Sequence, residues 1–251
     1  MLIMIQIKRI VFSYFILLVV ASNSWAQTSE LSKFELGLNG GIMLSYRTYK
    51  ITESSSTSSF AKENLDRTER TSLLPQGALL FSWNPSSRVR IGGGFSFIVR
   101  GYQTDWLPIN PTIDPGQNSP ESFRYLSRSK WIDIPLQGDV FLWKRPRKLN
   151  VFARAGLSYS LGLYAETIFE SESQGNVKKS VSEDTSIKNS LFLFHTGVGM
   201  TYQLGEHFQA EFLFSYQRGI NSFIKEGVGG SNLLKGYFIS LGPQLGLSYK
   251  L

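Results

Sequence analysis

The 251-residue sequence predicts an all-β fold: an eight-stranded antiparallel up-and-down transmembrane β-barrel with a polar interior and an apolar exterior. Three observations predict it. Eight stretches of roughly ten or more residues alternate apolar with polar or glycine positions. The connections between them alternate long and short. An N-terminal segment has the form of a secretion signal.

That segment comes first in the chain. Lys8 and Arg9 supply a positive n-region, and Ile10 to Val20 form an apolar core too short for a comfortable transmembrane helix. Ser24-Trp25-Ala26 resembles a small-x-small cleavage site, so residues 1–26 read as a signal peptide and 27–251 as one barrel domain. An uncleaved anchor is the alternative reading. Loss of Lys8 and Arg9 lowers the formal charge from +7 to +5.

The first strand shows the alternation most clearly. Phe34, Leu36, Leu38, Gly40, Ile42, Leu44 and Tyr46 share one face, and Glu35, Gly37, Asn39, Gly41, Met43, Ser45 and Arg47 the other. The second strand, near Leu73 to Trp83, turns Leu73, Leu79, Phe81 and Trp83 outward against Gln76, Ala78 and Ser82. The third, Arg88 to Tyr102, sets Val89, Ile91, Phe95, Phe97 and Val99 against Arg90, Ser96 and Arg100. The fourth, Lys130 to Leu142, sets Ile132, Ile134, Leu136, Val140 and Leu142 against Asp133, Gln137 and Asp139. The fifth, Val151 to Ala165, opposes Leu157, Tyr159 and Leu161 to Arg154, Ser158 and Ser160. The sixth, near Leu191 to Leu204, carries Phe192, Phe194, Val198, Met200 and Tyr202 outward. The seventh, Phe208 to Arg218, opposes Phe212, Phe214 and Tyr216 to Glu211, Ser215 and Gln217. The eighth, Gly236 to Leu251, opposes Tyr237, Ile239, Leu245, Leu247 and Tyr249 to Ser240, Gln244, Ser248 and Lys250.

Connections after strands two, four and six are a few residues each: Asn84 to Ser87, Arg145 to Lys148, and Gly205 to His207. Those after strands one, three, five and seven are long, about Thr48 to Ser72, Gln103 to Ser129, Glu166 to Ser190 and Gly219 to Lys235. Short periplasmic turns and long external loops are the habit of outer-membrane barrels. A secreted lipocalin-like barrel, with the polarity reversed, is the chief structural rival. Alternation alone cannot choose between the two. Strand length, glycines clustered on the polar face and aromatics near strand ends favour the membrane version.

These pieces together resemble the PorT-like family of outer-membrane β-barrels from Bacteroidetes. The resemblance rests on Gly37-Leu38-Asn39-Gly40-Gly41, on Trp131-Ile132-Asp133-Ile134-Pro135-Leu136 and on Phe152-Ala153-Arg154-Ala155-Gly156. It extends to Gly197-Val198-Gly199-Met200 and to Gly242-Pro243-Gln244-Leu245-Gly246-Leu247-Ser248-Tyr249. It implies an outer-membrane location, and its namesake's link to protein secretion, without fixing an activity.

The chemistry is sparse. There is no cysteine, so thiolate chemistry, disulfides and a lipid-anchored cysteine are excluded. No phosphate-cradling loop or metal-spaced histidine pair occurs. Loop acids such as Glu53, Glu63, Asp66, Asp114, Glu170 and Asp184 follow no calcium-binding repeat. We therefore expect no cofactor, no metal and no catalytic residue. The enzymatic alternative, a lipid-modifying esterase, would use His195 with Ser158 or Ser160 and Glu211 or Asp133. His207 falls in a turn. Charges of both signs on the polar face read either as a narrow channel or as a salt-bridged plug. An eight-stranded barrel has room only for its own side chains, which favours the plug. Expected partners are outer-membrane lipid, the barrel-assembly machinery during insertion, and a secretion or surface protein. Nucleic acid is not among them, because the basic residues are dispersed and the signal directs export. The expected work is binding or scaffolding at the cell surface.

Overall fold

A computed structural model describes residues 33–51, 63, 68–108, 122–145, 148–173, 175–224 and 234–251. The expected signal segment, and loop acids Glu53, Asp66 and Asp114, lie outside the described residues. The strands are β1 (Phe34–Ile51), β2 (Glu69–Arg70), β3 (Ser72–Ser86), β4 (Val89–Thr104), β5 (Leu107–Pro108) and β6 (Ser122–Phe141). They continue as β7 (Leu149–Ser173), β8 (Asn176–Glu183), β9 (Ser190–Gln203), β10 (Phe208–Gly219) and β11 (Leu234–Lys250).

Eight of these close a ring in the order β1-β3-β4-β6-β7-β9-β10-β11, and β11 returns to β1. Each pairs antiparallel with both neighbours. Closure satisfies every ladder without a free edge, which is what allows strands to cross hydrocarbon. It is set by sequence spacing, because three short turns force hairpins, and the start of β1 and the end of β11 both fall on the turn side.

Burial settles the direction of the pleat. Leu38, Leu73, Phe95, Leu136, Val198 and Leu245 are each more than 60 % exposed, while Glu35, Arg90, Arg100, Asp133 and Asp139 are at most 4 % exposed. An apolar belt facing outward around buried charge is stable only with lipid as the outer solvent. The lipocalin-like alternative has the opposite arrangement and is excluded. Two residues expected on the lipid face are buried instead. Val89 lies under the turn after β6, where the Arg145 N–H donates to the Ser87 carbonyl at 2.9 Å. Ile239 is flanked in register by the larger Tyr46 and Arg218.

The strands also run further than the alternation indicates. The fourth ring strand begins at Ser122 rather than Lys130, and the fifth continues to Ser173 rather than ending at Ala165. The segment 166–190, expected to be a loop, contains the hairpin of β7 with β8. Gly175, at φ +76°, closes that hairpin in a conformation open to glycine at little cost. Past Lys130 and Ala165 the regular alternation of exposed apolar with buried polar residues lapses, with Leu126, Ser127 and Ile168 all buried, while the strands continue.

Candidate functional site

Two regions concentrate chemistry: the barrel interior and the sheet extending beyond its mouth. At the short-turn end of the interior, Arg90 on β4 donates from Nε to Asp139 at 2.6 Å, from Nη1 to Glu35 at 3.3 Å and from Nη2 to Glu211 at 2.5 Å. Glu211 is on β10, directly across the ring, so this one guanidinium ties opposite walls together. Arg154 donates from Nε to Asp139 at 2.7 Å and from Nη2 to Glu211 at 3.0 Å. Arg145 reaches in from the turn, 3.4 Å from Glu35, and donates to Asn84 Oδ1 at 2.7 Å. Asn84 Nδ2 in turn donates to Glu35 at 2.9 Å. Three arginines meet three carboxylates, so the layer is formally neutral, and burial is tolerable because each charge is paired and hydrogen-bonded. Phe141 and Phe152 floor the layer, with the Arg145 guanidinium 4.0 Å above the Phe141 ring.

Above it, Arg100 forms a bidentate pair with Asp133 at 3.1 and 2.5 Å and approaches Gln217 on the far wall at 3.5 Å. A cavity of about 40 Å³ remains between the layers, lined by Gln76, Asp133, Gln137, Ser158, His195 and Gln244 among others. That is room for about three waters. At the outer mouth the lining becomes apolar. Met43, Ile98, Trp131, Leu191 and Phe238 join Ile187 and Phe223, which come from the connections and fold inward. Phe223 stacks on Phe238 at 4.2 Å, and Ile187 bridges Ile224. The interior is thus closed by ion pairs at one end and by side-chain packing at the other.

The residues named for an esterase do not assemble. His195 and Ser158 line the same cavity, but His195 Nε2 has no hydrogen-bond partner. Asp133 is held by Arg100, and Glu211 by Arg90 and Arg154. Ser160 is fully buried with its hydroxyl unpartnered. His207 lies in its turn beside Tyr249. No cluster of three or more metal-ligating side chains occurs among the described residues.

Of the charges expected inside, Arg90, Arg154, Glu35, Asp139 and Glu211 converge in one network, and Arg100 with Asp133 forms a second. Lys250 instead sits at the rim, donating to Gln203 Oε1 at 2.5 Å. Sequence reasoning missed Arg145 and Asn84, which read as turn residues, and the inward-folded Ile187 and Phe223. Only the pleat of Asn84 following Ser82 could have signalled one of them.

Beyond the mouth, β6, β7 and β8 form a three-stranded blade. A bulge where Lys130 gives way to Trp131 leaves Leu163 and Tyr164 both facing outward and bends the sheet as it leaves the wall. Ser173 is eleven residues past Gly162, roughly 36 Å of strand at about 3.3 Å per residue. Phe123, Tyr125 and Phe169 cluster on one face with centroids 5.2–5.8 Å apart. On the other face Arg124 pairs with Glu170 at 2.7 Å and lies 4.7 Å above Trp106.

Among solved structures the chain is similar to Neisserial surface protein A, with 12% identity over 88% of this chain and 98% of that one and a TM-score of 0.43. It is also similar to the outer membrane protease OmpT of Escherichia coli, with 9% identity over 90% and 99% and a TM-score of 0.45. A third is Ail, the attachment invasion locus protein of Yersinia pestis, in complex with the heparin analogue sucrose octasulfate, with 11% identity over 85% and 99% and a TM-score of 0.34. No curated protein matches the chain. The family model of the outer membrane protein beta-barrel domain matches residues 25–225, most of the sequence. The chain belongs to that family, and its lipid-facing wall is the wall of an outer-membrane barrel.

Proposed function

We propose that this outer-membrane barrel works by binding, with the blade and neighbouring connections as the contact surface and the barrel as their anchor. The observation that carries the reading is a contrast. The interior is filled and tied wall to wall, whereas β6 and β7 continue well past the bilayer as ordered sheet. A sheet braced by an aromatic cluster and an Arg–Glu pair is pre-organised, which lowers the entropy cost of engaging a partner. The resemblance to PorT-like barrels supports a partner in protein secretion or at the cell surface. Insertion by the barrel-assembly machinery precedes that role.

The test is purification of the tagged protein from its native outer membrane in mild detergent, beside a variant in which residues 168–181 are replaced by a short turn. Gels of unboiled and boiled samples report folding, and mass spectrometry identifies what co-purifies. A partner retained by the native chain and lost from the shortened one supports the reading. A partner retained equally by both moves the contact away from the blade. A folded barrel with no partner overturns it.

A further inference from the structure

Every strand of the ring has two neighbours, so the wall presents no edge. β8 differs. Among the described residues it pairs with β7 alone, from Ser173–Asn176 to Glu166–Glu183, and all eight of its residues are exposed. Antiparallel pairing turns the N–H and C=O of every second residue away from the neighbour, so one side of β8 offers an open ladder. β2 and β5 are two residues each, too short to serve in this way.

The sequence of β8 selects what can add to it. Val177 and Val181, each more than half exposed, share a face with Lys179, and Lys178 and Ser180 occupy the other. Adjacent lysines therefore place positive charge on both faces of the edge. A second copy of β8 in antiparallel register would bring four ammonium groups together, so these lysines discourage self-pairing. Neither lysine has an ion pair among the described residues. Glu170, beside Lys179 on β7, is already engaged by Arg124. Glu183 makes the foot of the strand negative, which confines an acidic partner to the Lys178–Lys179 region.

We infer that β8 is a docking edge for an extended segment of another protein. The segment carries adjacent acidic residues flanked by β-branched apolar ones, and it extends the blade by strand addition. Main-chain hydrogen bonds supply the register-independent part of the affinity, and the two lysines select the partner. This rests on the binding role proposed above and gives it a place and a chemistry.

The test uses the full-length protein in detergent micelles and a fluorescent, end-capped synthetic peptide centred on valine, serine, two glutamates and valine. Saturable binding by anisotropy is expected. The Lys178→Glu, Lys179→Glu double variant weakens it at least about tenfold and gains affinity for the same peptide with lysines in place of glutamates. A peptide with prolines at its centre does not bind, because it cannot complete the ladder. An unchanged heat-dependent gel shift verifies that the variant is folded. The inference is overturned if the acidic peptide fails to bind the native chain, if charge reversal leaves binding unchanged, or if the proline peptide binds equally. A native partner that still co-purifies with the charge-reversed variant but not with the shortened blade overturns the edge while leaving the binding role intact.

Discussion

Arg90 shows what a single residue does inside this barrel. It touches three carboxylates on three strands, and its removal strands Glu211 and Asp139 with only Arg154 between them. Breaking a buried ion pair leaves an uncompensated charge, so Arg90→Ala is expected to cost about 3–5 kcal/mol. Arg70→Ala, which removes the half-exposed pair with Asp105, is expected to cost less than about 1 kcal/mol. Denaturant unfolding in lipid vesicles compares the two. Space is as restrictive as charge. A Cβ at Gly156 would meet His195 Cε1 and the Leu136 carbonyl at 2.5 Å, and one at Gly199 would meet the Phe152 ring at 2.5 Å. Gly156→Ala should therefore destabilise by about 1–3 kcal/mol through overpacking. Gly205→Ala, whose Cβ would meet nothing within 4 Å, should stay within about 0.5 kcal/mol of the native protein in the same unfolding assay. The glycines on the polar face were legible as a sign of crowding. Which bulky group each one accommodates was not, because that depends on the neighbouring strand.

Each strand works in two solvents. Leu38, in the middle of the β1 crossing, faces lipid, and Leu38→Arg should cost about 2–4 kcal/mol near the bilayer midplane. Val181, as exposed as a lipid-facing residue but set on the blade in water, should accept arginine within about 0.5 kcal/mol. Equal exposure with unequal cost is the signature of a membrane boundary crossing the sheet, and vesicle unfolding of both variants would locate it. Equal costs would sink the assignment of the blade to water. The same boundary explains where the sequence reading stopped. It found the strands where lipid enforces alternation and lost them at Lys130 and Ala165, beyond which exposure no longer follows the two-residue period and Leu126, Ser127 and Ile168 are buried. Phe123, Tyr125 and Phe169 are good strand formers, but without a period they do not declare themselves as a sheet.

Across the whole molecule, the interior is closed in two different ways. The turn end is closed by the neutral layer of three arginines and three carboxylates, and the outer mouth by the Trp131–Phe238–Phe223 packing. The 40 Å³ space between them is a pocket for water rather than a path. The purified protein in a planar bilayer should therefore show no discrete conductance steps. Regular steps at low voltage would overturn this account of the mouth. Conversely, Phe223→Ser together with Ile187→Ser removes only loop-borne parts of the outer plug, so it should loosen the mouth without unfolding the ring. Amide exchange would read this as faster exchange along β11 near Gly236 and Phe238 with the gel shift retained.

Taken alone, the sequence determined the ring: how many strands it has, which residues share a face, and which connections are short. These follow from local rules, since a strand has a period of two and a hairpin turn has a length, and both are written in consecutive residues. The tertiary structure decided the rest. That Arg90 reaches Glu211 across the barrel, that Arg145 folds in from a turn, and that Ile187 and Phe223 cap the mouth all depend on closure. Closure brings together residues as distant in the chain as Arg90 and Glu211, 121 positions apart, and no local period records that encounter.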